Sequence, residues 1–491
     1  MHAVVVGGGI TGLTAAYVLG RAGVRTTLLE ASDRLGGKVR TFAGDGFVVE
    51  EGPDSFIAVR PAAAQLCREL GLGADLVGTK EPREVFVLSA RGLVPMPDGL
   101  ALVLPTKFVP FATTRLFSWP EKMRMGMDLF LPRGPMEGDD TIGGLLRRRL
   151  GNALVDRLAG PLVGGIYGTD IDELSLLAVL PTLRESERVH RSLLLASIAE
   201  ARQRKAREQE RAAERAKIVA AAAAAGTPPP PAAPRSVFLS LRGGMSRMTG
   251  ALGAALDRMP SVDVRLGTRV VALQPAGTGS RLVLADGSRL DADAVILASP
   301  APATADILHD AAPVTAAALR TIRHGSASIV TLAYEADRFP RPVTGHGYVV
   351  AADAASPLSA CTITSGKWPG RAPDGTVLLR AYLRDEGDGA VPPSASDAET
   401  VAAARAAVER TLAPQGDPLF ARVARWEGAM PRYTLGHLDR VAAAEQGLAG
   451  IPGVVLAGAA YRGVGLPDCI TQARAAAARV LEMAPAEAAA A

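Results

Sequence analysis

The chain has few cysteines, and this shortage excludes several kinds of function. Of 491 residues only three are cysteines, Cys67, Cys361 and Cys469, and they lie far apart. This number and spacing exclude a disulfide framework and a paired-cysteine metal site, and they predict a reducing, cytoplasmic location. The six histidines show no ligand spacing either, so no metal site is expected.

Aromatic residues and net charge are also scarce. Aromatics make up 4% of the chain, and basic residues number 54 against 50 acidic ones. Because Arg and Lys form no stripe interleaved with aromatics, nucleic-acid binding has no support in the sequence. The apolar content of 48% with 21% charged residues is typical of a globular enzyme, and the length fits two or three domains.

Long apolar runs are absent as well. No run reaches the roughly 18 residues that a membrane span requires. The nearest candidate, GLALVLPTKFVPFATTRLF, is interrupted by Pro105, Lys107 and Pro110. It predicts the wall of an apolar pocket or, at most, a peripheral membrane contact. The first strand is predicted to begin at about Ala3, so no targeting peptide is expected.

Both ends of the chain follow one plan, in which an apolar strand leads into glycines and then into a helix. The first copy is AVVVGGGITGLTAAYVLGRAG and the last is GVVLAGAAYRGVGLPDCITQAR. AVILASP in the middle of the chain predicts another buried parallel strand, and Asp286-Gly287 predicts a hairpin turn. We therefore predict one nucleotide-binding domain assembled from discontinuous segments. Two such turns either hold two nucleotides or grip one long ligand at both ends.

The first turn has the spacing of a dinucleotide-binding motif. Gly7, Gly9 and Gly12 give GxGxxG between a strand and a helix, which lets the backbone and the helix amides approach a pyrophosphate. Glu30 lies 23 residues after Gly7 at the tip of the next strand, where a carboxylate can bind ribose hydroxyls. Further glycines in EASDRLGGKVRT and EEGPDSF allow more backbone approaches, which favours a flavin dinucleotide over a nicotinamide one.

Seven motifs together resemble one family. GGGITGL, EASDRLGGK, EEGPDSF, GGIYGTD, SLRGGMSRM, WEGAMPRYTLGH and YRGVGLPDCI are similar to the motif set of the HemY-type porphyrinogen oxidases of haem synthesis, in the monoamine oxidase/phytoene desaturase superfamily of flavoproteins. The first two motifs are shared across the superfamily, whereas EEGPDSF, GGIYGTD and GVGLPDCI are more specific. The resemblance covers nearly the whole chain and departs at about 200–235.

The resemblance implies a fold, a cofactor and cofactor contacts. The fold is α/β and α+β, with a Rossmann-like FAD-binding domain, a mixed-sheet substrate domain and a helical domain. One FAD would be gripped by the first turn at its pyrophosphate and by the last turn at its flavin ring, where helix amides can stabilise the reduced anion. The residues implied in FAD binding are Gly7, Gly8, Gly9, Ile10, Thr11, Gly12, Glu30, Ala31, Lys38, Gly52, Pro53, Asp54, Ser55, Val270, Trp426, Gly463, Val464, Gly465 and Leu466. Val270 and Trp426 have an alternative interpretation as core residues.

The substrate residues are weaker predictions. Arg60, directly after EEGPDSF, is interpreted either as a clamp for a substrate carboxylate or as an exposed helix-start arginine. Tyr348 and Tyr382 are pocket candidates that also suit the cores of their strands. His437 is predicted to be structural rather than a proton acceptor. Cys469 lies within LPDCI, a motif of the family that binds FAD non-covalently, so attachment of the flavin to it is not expected.

The implied reaction is the six-electron oxidation of coproporphyrinogen III to coproporphyrin III, in three flavin cycles with oxygen as acceptor and hydrogen peroxide as product. A ferrochelatase would be the partner that receives the product. The alternatives are a protoporphyrinogen IX oxidase, a flavin amine oxidase or carotenoid desaturase, and a non-catalytic flavin-binding protein. The oligomeric state stays open.

The predicted domain ranges follow from the recurrence of the strand patterns. Residues 200–235, rich in charge, alanine and proline, are predicted to be a solvated helix and flexible loop inserted away from the chemistry. The FAD-binding domain is predicted at 1–85, 236–304 and 425–491, a helical substrate-channel domain at 86–199, and a substrate-binding domain at 305–424.

Overall fold

The computed structural model describes residues 1–101, 103–135, 137–224, 227, 236–387 and 389–483. Its strands β1 to β22 are, in chain order, His2–Val6, Arg25–Leu29, Thr41–Gly44, Phe47–Glu50, Phe56–Ile57, Leu76–Gly78, Val85–Ser89, Gly92–Pro95, Leu100–Ala101, Leu104–Pro105, Phe238–Leu241, Val262–Arg265, Val270–Ala276, Gly279–Leu284, Arg289–Ala292, Ala294–Leu297, His324–Glu335, Gly347–Val350, Leu358–Ile363, Thr376–Leu383, Phe420–Pro431 and Val454–Leu456.

The helices α1 to α17 are, in chain order, Ile10–Arg21, Ala62–Glu69, Phe108–Thr113, Trp119–Gly126, Ile142–Leu150, Asn152–Leu154, Gly165–Tyr167, Leu176–Val179, Pro181–His190, Leu193–Ala224, Ser246–Leu256, Ala301–Ile307, Pro313–Arg320, Thr364–Lys367, Asp397–Leu412, His437–Gln446 and Leu466–Glu482. A π-helix spans Val155–Gly164, and short 3-10 turns lie at Gly73–Asp75, Met127–Leu129 and Ala336–Arg338.

A five-stranded parallel sheet joins distant parts of the chain. Its order is β12-β2-β1-β16-β22, so the first strand of the chain is one strand away from the last. Ala3 and Val5 of β1 point into one apolar cluster with α1 and α17, while Val4 and Val6 point into a second cluster. Burial on both faces explains why these strands are continuous apolar runs. The predicted assembly of this domain from discontinuous segments is confirmed.

A seven-stranded mixed sheet forms the second layer. Its order is β21-β17-β20-β19-β18-β7-β8, antiparallel except where β18 pairs with β7. Because side chains alternate along a strand, Ala381 of β20 packs toward α15, and Arg380 and Tyr382 point to the opposite face. That opposite face lies over residues 50–54, because Arg380 donates to the Gly52 carbonyl.

Helices α3 to α10 pack around a third apolar cluster. The π-helix at its centre contains Pro161, which has no N–H to donate and so cannot continue a regular helical ladder. These helices fall mostly within residues 86–199, the range that was predicted as a helical substrate-channel domain.

The predicted insertion begins within a long helix. α10 is buried at Leu193, Leu194 and Ala196, and its described residues from 202 onward are exposed or half-exposed. This exposed part of α10 falls within residues 200–235, the range that was predicted as a solvated helix and flexible loop. Residues 225, 226 and 228–235 of the insertion lie outside the described residues.

The domain ranges stay predictions. β7 and β8, at Val85–Pro95, belong to the seven-stranded sheet although they fall in the range predicted as helical. β21 also lies in that sheet across the predicted boundary at 425. In both places strand pairing, which sequence patterns alone do not reveal, decides which layer a segment joins.

Candidate functional site

The first glycine turn connects β1 to α1 at the carboxyl edge of the parallel sheet. A Cβ on Gly12 would lie 1.8 Å from the Gly7 carbonyl oxygen, so only glycine allows this close packing. A Cβ on Gly9, in contrast, would meet no atom within 4 Å. No side chain caps the N-terminus of α1, where Ile10 and Thr11 begin the helix. The turn therefore presents free space beside uncapped helix amides.

Glu30 follows β2 next to this turn, as predicted. One carboxylate oxygen accepts from the Gly8 N–H at 2.6 Å, and the other accepts from the Ser32 N–H at 2.8 Å. Ala31, the next residue, is exposed. The carboxylate of Glu30 is thus held at the strand tip beside the glycines.

The second and third glycine motifs lie against the first. The Gly36 N–H donates to the Gly8 carbonyl at 2.8 Å, and a Cβ on Gly37 would lie 3.1 Å from Cα of Gly9. A Cβ on Gly52 would lie 1.9 Å from the Lys38 carbonyl oxygen. The three segments therefore form one continuous backbone surface, which the sequence motifs predicted only separately.

The last glycine turn lies close to the first one. Gly458 follows β22, and a Cβ there would come within 3.9 Å of the Thr11 hydroxyl. Gly465 is the N-cap of α17 and makes no side-chain capping bond, and Leu466 begins that helix. The structure thus brings the N-termini of α1 and α17 together at one edge of the sheet.

Lys38 connects these glycine segments to the large sheet. Its ammonium group donates to the Ala429 carbonyl, and burial lowers its pKa. Trp426, also on β21, donates from its indole N–H to the Glu51 carbonyl at 2.5 Å. Both residues therefore lie at the junction between the predicted cofactor segments and the second layer.

The acidic residues of EEGPDSF are each bound by cations from elsewhere in the chain. Glu50, fully buried, pairs with Arg371 at 3.0 Å. Burial raises the pKa of Glu50, and the charge of Arg371 opposes this rise. Glu51 is also buried and pairs with both Arg40 and Arg422.

Asp54 is held by two further cations. Lys367 approaches it at 2.8 Å and the Trp368 indole donates to it at 3.1 Å, while Arg380 lies 3.8 Å away. Burial opposes ionisation of Asp54, but the charges of Lys367 and Arg380 outweigh it and lower the pKa. Pro53 and Ser55 on either side are half-buried. The cations that fix this segment are functional residues that sequence reasoning missed.

A flavin dinucleotide fits this arrangement. The open space at Gly9 lies beside uncapped helix amides, as a pyrophosphate requires, and the Glu30 carboxylate lies at the adjacent strand tip. The N-terminus of α17, at Gly465, is a second helix start without a side-chain cap in the same region. We therefore treat the converging turns as the candidate cofactor site.

Three further residues that were predicted for the cofactor site or the substrate pocket lie on strands, and two of them are core residues. Val270 is 7% exposed and belongs to an apolar cluster on the parallel sheet. Tyr348 is 2% exposed and packs in the cluster on the α15 side of the large sheet, which does not favour its predicted pocket role. Tyr382 is half-buried on the opposite face, under the Arg380 guanidinium at 5.2 Å from its ring. Side chains alternate along each strand, but only the pairing of the strands shows which face of the sheet Tyr348 and Tyr382 lie on, and the sequence does not give that pairing.

Arg60 lies at a surface cleft between α2 and α17. The cleft has a volume of about 370 Å³ and is lined by Val59, Arg60, Pro61, Ala62, Gln65, Asp468, Thr471 and Arg474. Arg60 is half-exposed and pairs with Asp468. Burial, and to a smaller extent the charge of Asp468, raises the pKa of Tyr167 to about 12. Arg60 therefore lies near Tyr167 of the helical region and beside the first turn of α17, while Arg474 of the same cleft pairs with Glu69.

Tyr433 is another residue that sequence reasoning missed. Its hydroxyl accepts from the Gly463 N–H at 2.8 Å and donates to the Ala459 carbonyl at 2.7 Å. The Tyr167 ring lies 5.8 Å from its ring, and Val464 of the turn packs on the helical cluster. Tyr433 lies within the motif WEGAMPRYTLGH, four residues before His437, so the motif itself could have pointed to it.

In the described part of the chain we find neither a metal-binding cluster nor a membrane-spanning helix. There, no group of three or more His, Cys, Asp or Glu side chains is placed to hold a metal ion. Within the same residues, no helix is both long and apolar enough to cross a membrane.

Comparison with known proteins identifies relatives over almost the whole chain. The family model described as flavin containing amine oxidoreductase matches residues 10–481. The coproporphyrinogen III oxidase of Propionibacterium freudenreichii subsp. freudenreichii is 45% identical over 489 residues, covering 98% of this chain and 91% of that protein. The coproporphyrinogen III oxidase of Bacillus subtilis (strain 168) is 35% identical over 482 residues, covering 97% of each.

A solved structure agrees with the fold. The crystal structure of an Exiguobacterium sp. 255-15 protein, described as a candidate protoporphyrinogen oxidase, superposes with a TM-score of 0.81 at 33% identity. The match covers 98% of this chain and 99% of that one.

Proposed function

Because the chain belongs to the flavin containing amine oxidoreductase family, we propose that it oxidises coproporphyrinogen III to coproporphyrin III in haem biosynthesis. Family membership implies a flavin cofactor. The observation that carries the proposal is the convergence of four glycine segments at one edge of the parallel sheet, in a chain 45% identical to a coproporphyrinogen III oxidase. At the surface cleft Arg60 pairs with Asp468 and Arg474 pairs with Glu69, and a carboxylate of such a substrate would replace one of these partners.

We propose FAD, bound non-covalently, as the flavin. The adenosine end needs a pyrophosphate turn and a ribose carboxylate, and the open space at Gly9 and the carboxylate of Glu30 support these two roles. Cys469 is 4% exposed, and burial raises the pKa of its thiol to about 11. A thiol that stays protonated and buried is a poor nucleophile, which favours a non-covalent flavin.

The chain's own residues bind and orient, and the cofactor supplies the redox chemistry. When bound, the flavin would take two electrons at a time from the substrate and pass them to oxygen, with hydrogen peroxide as product. Arg60 would hold a substrate carboxylate at the mouth of the site. The ion pairs of Glu50, Glu51 and Asp54 fix the segment between the large sheet and the glycine turns.

The test is aerobic incubation of the purified holoprotein with each porphyrinogen, followed by porphyrin fluorescence and peroxide measurement. Faster turnover of coproporphyrinogen III than of protoporphyrinogen IX is the expected result. Preference for protoporphyrinogen IX would support the first alternative, and turnover of amines or carotenoids the second. Bound flavin that no substrate reduces would identify a non-catalytic flavin-binding protein.

We further propose a cytoplasmic enzyme that makes peripheral contact with membranes. All three cysteines are free and buried, as in a reducing compartment. Helices α3 and α4 and the turn after them expose an apolar patch made of Phe108, Val109, Trp119, Met123 and Phe130, each more than 70% exposed. Beside it, Lys122 lies over the Trp119 ring at 5.0 Å. Aromatic and apolar side chains next to a lysine suit the interface of an anionic bilayer.

Vesicle co-sedimentation tests this contact. Wild type should sediment with vesicles containing phosphatidylserine more than with neutral ones, and Phe108→Ser with Phe130→Ser should lose most of this binding without losing flavin. Equal sedimentation of wild type and the double variant would contradict the proposal.

A ferrochelatase that accepts the product is the proposed partner, and a pull-down with the product present tests it.

A further inference from the structure

One buried hydroxyl bonds two points of the last glycine turn. Tyr433 is 0% exposed, and its hydroxyl bonds both the Gly463 N–H and the Ala459 carbonyl. A single phenol therefore spans the turn from its start at Ala459 to its end at Gly463. Removing it would leave a partly buried N–H and a partly buried carbonyl without this partner, which is unfavourable.

Tyr433 is itself held rigidly. The His437 ring stacks on it at 3.8 Å with an interplanar angle of 15°, and His437 bonds the Tyr461 carbonyl, also in the turn, at 2.9 Å. The Tyr433 carbonyl accepts from the Ser175 N–H at 2.8 Å. The tyrosine thus connects the turn to the helical region through a short, ordered path.

The turn is followed at once by the N-terminus of α17. A Cβ on Gly463 would lie 2.6 Å from the Asp468 carboxylate, so the side chain of Asp468, in the first turn of α17, packs directly against Gly463. Only Val464 separates Gly463 from the helix N-cap at Gly465. The direction of the uncapped amides of α17 therefore depends on the position of Gly463. Helix N-terminal amides carry partial positive charge, whose effect on a ligand falls off within one turn.

We propose that Tyr433 is a positioning residue that aims the N-terminus of α17 at the flavin and so sets the reduction potential of the bound flavin. The inference rests on the proposed binding of the flavin at this turn. Reduction adds negative charge to the flavin ring, so amides held close to the ring favour the reduced form. A loosened turn weakens this preference and lowers the potential.

Tyr433→Phe tests the role, with Tyr334→Phe as the matched control. Tyr334 is also a fully buried tyrosine, but it packs in the apolar cluster on the α15 side of the large sheet. Both holoproteins are titrated with a reference redox dye under anaerobic conditions, without any porphyrinogen. Tyr433→Phe should favour the reduced flavin about ten- to a hundred-fold less than wild type, which is about 30–60 mV for a two-electron couple. Tyr334→Phe should match wild type.

Kinetics and amide exchange provide separate readouts. In Tyr433→Phe, kcat should fall while KM stays unchanged, and hydrogen exchange of the peptide covering 459–466 should accelerate. An unchanged potential in flavin-loaded Tyr433→Phe overturns the inference, whatever the activity. If that variant does not retain flavin, the potential is read on His437→Gln, where a smaller shift in the same direction supports the inference and no shift overturns it. Wild-type protein without flavin would instead refute the proposed function itself.

Discussion

Replacement of Gly9 separates ligand binding from folding. Gly9 has φ −73°, which any residue can adopt, and its Cβ would meet no protein atom within 4 Å. Gly9→Ala and Gly9→Val should therefore fold normally and fill space that the pyrophosphate needs. Gly12→Ala is the opposite case, because its Cβ would overlap the Gly7 carbonyl oxygen at 1.8 Å.

The size of each effect follows from this geometry. With an allowed backbone and open space, Gly9→Ala should change the free energy of unfolding of the ligand-free protein by no more than about 1 kcal/mol. Forcing one methyl group against a bound ligand costs about 1–3 kcal/mol, as overpacking does in a core. Since about 1.4 kcal/mol is tenfold in Kd, the alanine should weaken FAD binding roughly 5- to 150-fold, and the valine more.

The assay is titration of the flavin-free proteins with FAD, followed by visible absorbance, together with thermal unfolding by circular dichroism. Gly250→Ala is the matched control, since Gly250 is an exposed glycine of α11 that also has open space. It should bind FAD as wild type does. Wild-type affinity in Gly9→Val would show that the first turn is not the pyrophosphate site. A fold as disrupted as that of Gly12→Ala would show that the space at Gly9 serves packing.

Three further predictions concern substrate, pH and the insertion. Arg60→Ala should reduce kcat/KM on coproporphyrinogen III roughly ten- to a hundred-fold at unchanged flavin content, because an arginine–carboxylate contact contributes about 1.5–3 kcal/mol; wild-type values would leave Arg60 as a surface residue paired with Asp468. Burial lowers the pKa of His437 to about 4, so unfolding takes up a proton below pH 6.5. Stability should therefore fall by up to about 3 kcal/mol between pH 6.5 and 4, and His437→Gln should flatten this loss while the exposed His309→Gln should not. Deleting residues 203–232 should leave flavin content and turnover nearly unchanged, because the described part of that helix buries little; a deletion product without flavin would refute this.

The sequence predicted the parallel sheet well because its signals are local. The apolar run of β1, the turn at Gly7 and the carboxylate at Glu30 are close in the chain, and their physical roles follow from residue type and spacing. The parallel strand at Ala294–Leu297 was recognisable for the same reason. Such features need no knowledge of which distant segment packs on them.

The contacts around EEGPDSF were not predictable in this way. Glu51 pairs with Arg422, separated by 371 residues, and Asp54 pairs with Lys367, separated by 313. Nothing in the local pattern distinguishes these cations from the many other arginines and lysines of the chain. Likewise, only strand pairing shows that Tyr382 and Tyr348 point to opposite faces of the large sheet.

The ion pairs around EEGPDSF are better explained by placement than by stability. Five cations surround three carboxylates there, and Glu50, Glu51 and Arg371 are almost completely buried. Removing charges from water costs about as much as the pairing returns, so apolar residues of similar size would stabilise the fold at least as well. Ion pairs between charged side chains, however, constrain the direction of each contact as well as the distance between the two groups. Arg380 and Arg422 lie on strands β20 and β21 of the large sheet, and Lys367 and Arg371 lie in the segment between β19 and β20. Their ion pairs therefore hold EEGPDSF in one position between the large sheet and the glycine turns.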